Sequence, residues 1–210
     1  MIDLINVGKS YDGRPILSNF SLSIKKNEFV SIVGPSGAGK TTVLNLIGLL
    51  DNPDYGVVKI GGISNPNKKE VMQLRRVFFG YVFQNYVLMD NDTVLNNLLI
   101  SKTYNTAFNE KAMVDTLEKV GLNTNLLNKK IYQLSGGEQQ RVALARVLLK
   151  PFEIILADEP TGNLDDINKQ IVVNLLHEMR NIGKTIVCVT HDAKIANQSD
   201  RVIQIIGEGE

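Results

Sequence analysis

The 210-residue chain is 43% hydrophobic and carries 23 basic against 22 acidic side chains, a net charge of +1. This suits one domain, or one with an inserted subdomain, around a sizeable core, and it lacks the basic excess of a phosphate-backbone binder, so no nucleic-acid partner is expected. No apolar run approaches the ~20 residues that span a bilayer, residues 1–7 lack the form of a signal peptide, and the lone Cys188 has no partner for an internal disulfide, which together point to a cytoplasmic, reducing setting.

In chain order, residues 2–7 read as a strand, and Phe20, Leu22 and Ile24 alternate with Ser21 and Ser23 as one face of a second. Lys25-Lys26-Asn27 is a polar turn in which Asn27 tolerates positive φ. Phe29-Val30-Ser31-Ile32-Val33 is a buried strand running into a glycine-rich loop. Residues 84–150 carry helical patterns and few strand signals, so they read as an inserted helical subdomain; Met113, Leu117 and Val120 share a stripe between a candidate N-cap, Asn109, and a stop, Gly121. Apolar runs at 154–157 and 186–189 fit a parallel sheet covered on both faces. Between them Ile167, Ile171, Leu175, Met179 and Ile182 repeat at helical spacing up to Gly183. His177, inside that helix, reads as solvated surface. Strand–helix alternation indicates an α/β fold.

Three motifs carry chemistry. Gly34-Pro35-Ser36-Gly37-Ala38-Gly39-Lys40-Thr41-Thr42 matches G-x-x-x-x-G-K-[ST] between a strand and a helix. Its glycines let successive backbone N–H groups curl around phosphates, and the helix N-terminus adds its positive end. Lys40 supplies a mobile charge, and Thr41 offers a hydroxyl to Mg²⁺. Next, Ile154-Ile155-Leu156-Ala157-Asp158-Glu159 ends an apolar strand in two carboxylates. Acidic residues commonly end strands, so this is weak alone; beside a phosphate loop, Asp158 reads as a Mg²⁺ holder and Glu159 as the group that orients or deprotonates water. Finally, Leu134-Ser135-Gly136-Gly137-Glu138-Gln139-Gln140-Arg141 opens a second helix with an anion-binding start.

These motifs together resemble the ATP-binding cassette family along essentially the whole chain. The resemblance implies a P-loop NTPase core with a RecA-like, mostly parallel sheet, an N-terminal antiparallel β subdomain and an inserted helical subdomain. Residues 1–210 would form a single cassette, with 1–83 and 151–210 as the nucleotide-binding core and 84–150 as the helical part. It implies ATP and Mg²⁺ as cofactors and a homodimer formed on ATP binding. In that dimer Ser135, Gly136, Gly137, Glu138 and Asp165 of one subunit complete the partner's site. Tyr11, alone a surface tyrosine, would stack on adenine. Gln84 would touch Mg²⁺ and water, and His191 in Val189-Thr190-His191-Asp192 would contact the γ-phosphate. Gly162-Asn163-Leu164-Asp165 would cross to the partner. Asn27 replaces the family's usual glycine, and Lys129-Lys130-Ile131-Tyr132-Gln133 lacks its common proline; neither removes a metal, phosphate or water-handling group, so an active ATPase is expected.

Glu159-Pro160-Thr161-Gly162-Asn163-Leu164-Asp165 is similar to the branch of lipoprotein-release, macrolide-export and bacitracin-resistance ATPases. Residues 83–94 and Leu149-Lys150-Pro151 are similar to lactococcin-type bacteriocin exporter ATPases. A separate integral-membrane permease is then the implied partner, with the chain peripheral on the cytoplasmic face of the membrane. A translation cassette usually has two cassettes per chain, a DNA-repair cassette needs a long coiled-coil insertion, and a small-molecule kinase leaves Ser135-Gly136-Gly137 unexplained. The run Tyr86-Val87-Leu88-Met89 reads either as core or as a groove wall receiving a permease helix, with Gln84 as hinge.

Overall fold

The computed structural model describes residues 1–162 and 164–206, so Asn163 of the Gly162–Asp165 motif lies outside the described residues. Strands β1 (Ile2–Tyr11) and β2 (Arg14–Ile24) form a hairpin through Asp12-Gly13. Both turn residues take positive φ, 50° and 76°, the two-residue geometry whose twist matches that of its flanking strands. Asn27, at φ 59°, makes the turn read from sequence and donates its N–H to Thr185 Oγ1 at 3.0 Å. Strand β3 (Phe29–Val33), helix α1 (Lys40–Ile47) and strands β4 (Tyr55–Ile60) and β5 (Ile63–Ser64) follow. Together β2-β1-β4-β5 make an antiparallel sheet. Helix α2 (Lys68–Val77) starts at Asn67, whose side chain accepts the N–H groups of Lys69 and Glu70 while Glu70 returns a bond to the Asn67 N–H.

After β6 (Phe79–Val82) the chain turns helical: α3 (Val94–Leu99), α4 (Glu110–Lys119) and α5 (Gly136–Leu148). Asn109 caps α4 by accepting the Ala112 N–H at 2.8 Å, and Gly121 closes it at φ 70°. Among the described residues, the β pairing in this stretch is one isolated bridge, Thr93 with Lys130. The chain then forms β7 (Ile154–Asp158), α6 (Asp166–Asn181), β8 (Thr185–Val189), α7 (Ala193–Gln198) and β9 (Arg201–Gln204). The second sheet, β6-β7-β8-β3-β9, is parallel throughout. No helix among the described residues is long and apolar enough to cross a membrane.

Alternation along the central strands divides the core in two. Val30, Ile32, Ile154, Leu156, Val187 and Val189 join α1 and the antiparallel sheet on one face. Phe29, Ile155, Ala157, Ile186 and Cys188 point the other way, into a cluster continuous with Leu98, Leu117, Ile131 and Val142 of the helical stretch. Burial pushes the Cys188 thiol well above its usual range. Helix α5 lies directly on β6: a Cβ at Gly80 would meet Val147 Cγ1 at 2.5 Å.

Two expectations need correction. Ile167 and Ile182, the ends of the apolar stripe, are 78% and 65% exposed; they fall in the first turn of α6 and at its C-cap, and Val172, Val173, Leu175, Leu176 and Met179 between them do the packing. His177 is half-buried rather than solvated. Its ring tilts against Phe29 at 5.5 Å, and Nε2 pairs with Gln198 Oε1 at 2.8 Å.

Leu117 is fully buried, so Leu117→Ala is expected to cost about 2–5 kcal/mol in chemical denaturation. Ile167→Ala should stay within about 0.5 kcal/mol of the parent by the same measurement.

Candidate functional site

Strand β3 delivers the loop of residues 34–39 to α1. Gly34, at φ 155°, passes so close to the tail of the sheet that a Cβ would lie 2.3 Å from the Ile205 carbonyl oxygen. Gly37 and Gly39 take φ 81° and 96°, and Ala38 N–H closes the turn onto the Pro35 carbonyl at 3.3 Å. Gly39 is the N-cap of α1; no side chain caps it, and its first turn holds no carboxylate. The first N–H groups of α1 are therefore left for an acceptor from outside, which suits a phosphate. Lys40 folds back, its Nζ donating to the carbonyls of Gly34 at 2.9 Å and Pro35 at 2.8 Å.

A hollow of about 180 Å³ joins this loop to Tyr11 and Ile16, with Gly37, Lys40, Thr41 and Thr42 on its walls. Tyr11 is 42% exposed, enough to offer a ring face. Its hydroxyl donates to Asp51 Oδ2 at 2.7 Å, and Lys9 Nζ stands 5.1 Å from the ring centroid. Burial acts to raise the Asp51 pKa, but the bonds from Tyr11, Lys9 and the Asn52 N–H outweigh it and hold the carboxyl below its usual range.

The carboxylates arrive from β7. Asp158 pairs in register with Val189, and its Oδ2 accepts the Thr41 hydroxyl at 3.2 Å. Burial, with Glu159 adding repulsion, raises the Asp158 pKa against the pull of Thr41 and Lys40. Glu159 leaves the strand in a left-handed conformation, φ 47°, while its N–H stays bonded to the Val189 carbonyl at 2.9 Å. Its Oε2 lies 2.8 Å from His191 Nδ1 and accepts the His191 N–H at 3.3 Å. The structure thus places His191 on Glu159. Gln84 is exposed two residues past Val82, which faces Ala157 across the sheet, so it emerges at the same edge as Asp158.

A hydroxyl and a carboxylate, both hard oxygen donors 3.2 Å apart, fit Mg²⁺, which keeps water and phosphate oxygens as its remaining ligands. Among the described residues, no group of three His, Cys, Asp or Glu side chains could hold a metal alone.

The second helix start stands apart from this cradle. Ser135 caps α5: its Oγ accepts the Glu138 N–H at 3.3 Å, and Glu138 Oε2 accepts the Ser135 N–H at 2.8 Å and its hydroxyl at 2.9 Å. Those bonds, the backbone one foremost, hold the Glu138 carboxyl below its usual range. Gly137 lies against α6, where a Cβ would come 3.0 Å from Asn168 Nδ2. Asp165 is the N-cap of α6 and accepts both the N–H and the side-chain amide of Asn168, at 2.9 and 2.6 Å. Sequence reasoning quoted Gln140 and Arg141 but gave them no role. Gln140 is buried, and its amide donates to the Pro160 carbonyl, tying α5 to the segment that follows Glu159. Arg141 is 9% exposed, with Nε and Nη1 lacking partners among the described residues. Their signal was two polar residues immediately before the buried Val142–Ala145.

The run Tyr86–Met89 is split. Leu88 packs into the helical core, and Tyr86 passes its carbonyl to Arg146 Nη2 at 3.2 Å. Val87 and Met89 are exposed. None of the four lines the hollow of about 650 Å³ that opens between α2, residues 49–52, Tyr104 and Lys150.

A parallel sheet whose edge gathers a phosphate loop, a helix hydroxyl and two strand-end carboxylates defines a P-loop nucleoside triphosphatase. The chain belongs to the ABC transporter family, whose pattern matches residues 17–162, and is an ABC-type ATPase, an ATP-binding subunit. It is 42% identical over 98% of its length to the lipoprotein-releasing system ATP-binding protein LolD of Bacteroides thetaiotaomicron, covering 97% of that protein. It is also 42% identical, over 93% of its length, to the macrolide export ATP-binding/permease protein MacB of Bartonella henselae, of which it spans 30%. The dimeric structure of the bacterial ABC transporter cassette MJ0796 superposes at a TM-score of 0.90 with 41% identity, covering 98% of this chain and 94% of the other. A post-hydrolysis dimer of that cassette bound to ADP and Pi gives 0.89.

If the Tyr11 face binds the base, Tyr11→Ala should weaken ATP binding by about 1–3 kcal/mol in titration calorimetry. Tyr11→Phe should lose less, since only the hydroxyl anchor to Asp51 goes.

Proposed function

We propose that the chain powers a separate membrane permease as a homodimer held together by two ATP molecules. Each would lie on one subunit's phosphate loop and beneath the other's Ser135, Gly136, Gly137 and Glu138, with Asp165 nearby. The observation that carries this reading is the separation of two phosphate-seeking helix starts: α1 opens on Lys40, Thr41, Asp158 and Glu159, and α5 opens on none of them. A single chain leaves the second start unused, and a partner chain can meet it. The dimeric cassettes described above support this assembly.

Within the site, Lys40 exchanges loop carbonyls for phosphate oxygens, and the N–H groups of residues 37–42 hold the rest of the triphosphate. Thr41 and Asp158, with Gln84, hold Mg²⁺, which when bound neutralises phosphate charge. Glu159 orients the attacking water and takes its proton; His191 fixes the carboxylate through Nδ1 and its backbone N–H and stabilises charge at the γ-phosphate. In this scheme residues 84–150 move relative to a core of 1–83 and 151–210, passing closure to the permease at the cytoplasmic face of the membrane. The likeness to lipoprotein-releasing and macrolide-export proteins supports this reading. Export of a peptide or bacteriocin is supported by the likeness of residues 83–94 and 149–151 to lactococcin-type exporters.

Glu159→Gln is expected to abolish turnover while ATP still binds, leaving a dimer visible as a mass increase in light scattering; parental turnover would remove Glu159 from its role. Mixing the inactive Lys40→Ala and Ser135→Arg chains should restore part of the activity by forming one intact composite site. Activity strictly linear in protein concentration, from a persistent monomer, would overturn the shared site.

A further inference from the structure

Tyr11 occupies a position that would by itself leave its ring free to turn. It pairs with Arg14 as the last rung of the hairpin before Asp12-Gly13, and its side chain is exposed. A ring that turns freely must be ordered each time a base stacks on it, which weakens binding. The structure instead holds this ring from two sides. Its hydroxyl donates to Asp51 Oδ2 at 2.7 Å. Lys9 Nζ lies over the ring, 5.1 Å from its centroid, and donates to the other Asp51 oxygen at 2.9 Å.

This clasp is more than a surface ion pair, which alone would contribute little. Lys9 Nζ also donates to the Asn52 carbonyl at 2.9 Å and lies 3.7 Å from Asp54. The Ser10 N–H meets Asp54 Oδ2 at 2.7 Å, and the Asp54 N–H returns to the Gly8 carbonyl at 2.8 Å. The Asn52 N–H fixes Asp51 Oδ1 at 2.7 Å. The bond to Asp51 foremost raises the Lys9 pKa, and burial, then the same carboxylate, raises that of the Tyr11 phenol. Both therefore stay protonated donors at neutral pH. Asp51 lies just past the end of α1, whose first turn holds Lys40 and Thr41, so one helix about 12 Å long separates the ring's anchor from the phosphate loop.

We propose that Asp51 and Lys9 are positioning residues for the Tyr11 ring, and that they set the site's affinity for the nucleoside half of ATP but not for its triphosphate. The inference rests on the base-stacking reading of Tyr11 and adds the groups that make the stack effective. Asp51 fixes the ring through its hydroxyl, and Lys9 covers one face and leaves the other to the base. Neither Asp51 nor Lys9 walls the hollow that joins Tyr11 to the phosphate loop, so both act through the ring. A ring ordered in advance loses no rotamer freedom when the base arrives, and binding keeps more of the stacking energy. The phosphate loop has supports of its own, Gly34 against Ile205 and Ala38 on the Pro35 carbonyl, and neither involves Asp51. Loss of the clasp is therefore felt by the base alone.

The test titrates the full chain in calorimetry with two probes in the presence of Mg²⁺. The β,γ-imido analogue of ATP carries the base, and inorganic tripolyphosphate lacks it. Asp51→Ala should weaken the imido analogue at least about threefold, close to the loss from Tyr11→Phe, while tripolyphosphate binds as it does to the parent. Asp51→Asn keeps an acceptor for the phenol and should recover most of that loss. Lys9→Met keeps the apolar stem and should weaken the imido analogue with the same selectivity. In the Tyr11→Phe chain, adding Asp51→Ala should cost clearly less than in the parent, because the hydroxyl it serves is gone. Thermal melting checks the folding of each variant, and Lys9→Met carries the comparison if Asp51→Ala does not fold. Equal weakening of both probes, or strictly additive losses in the double variant, overturns the proposal. So does an unchanged affinity of Asp51→Ala for the imido analogue while Tyr11→Ala weakens it, and base stacking then still stands. If Tyr11→Ala binds both probes as the parent does, base stacking and the proposal fall together.

Discussion

The in-register parallel pairing of β3, β8 and β7 is the constraint on which the site depends. Ile32 faces Val189, and Val189 faces Asp158, so three strands end at one level. From that level the phosphate loop, the carboxylate pair and the His191 segment all emerge. A slip of one residue in β7 would turn Asp158 into the core and expose Ala157. The buried alternation of Ile154, Ile155, Leu156 and Ala157 between two core clusters prevents it. The precision of the chemistry is thus inherited from apolar packing rather than from the polar residues themselves.

The polar contacts then connect this edge to the helical stretch. Val147 on Gly80 sets how closely α5 approaches the sheet. Gln140, buried, fixes α5 to the Pro160 carbonyl, one residue beyond Glu159. At its far end the same helix leads into Lys150. One element therefore reaches from the segment behind Glu159 towards the hollow of about 650 Å³ beside α2, and helices transmit displacement along their axis with little loss because their backbone bonds run parallel to it.

Much of this was legible in the sequence because the signals are local. The G-x-x-x-x-G-K-T run, the apolar strand ending in Asp158-Glu159, and the Asn109 and Gly121 punctuation of α4 each state their structure within a few residues. What escaped depends on distant neighbours. Strands β5 and β9 are short and lie at sheet edges, and β4, although it sits between β1 and β5, mixes Gly56 and Lys59 with its apolar residues, so pairing partners define all three rather than composition. Helix α2 carries charge at five of its ten positions and fully buries only Leu74, so its short apolar face of Val71, Leu74 and the following Phe78 is easily passed over. His177 looked solvated because Phe29, far away in sequence, supplies its contact. Leu88 and Met89 are neighbours in sequence, yet one enters the core and the other faces water, a split set by positive φ at Tyr86 and Val87 that no periodicity announces.

The backbone at Glu159 has an evolutionary consequence. A left-handed conformation at a residue with a Cβ costs about 1 kcal/mol or more, and glycine would relieve it. Selection for thermal robustness alone would therefore drift this position towards glycine, and under the proposed role of Glu159 selection for hydrolysis opposes that drift. The chain holds Glu159, the group proposed to handle water, at a place where its own folding energetics favour a residue with no side chain at all. Lineages released from the need to turn over ATP would be expected to lose this carboxylate early, and to become slightly more stable proteins as they do.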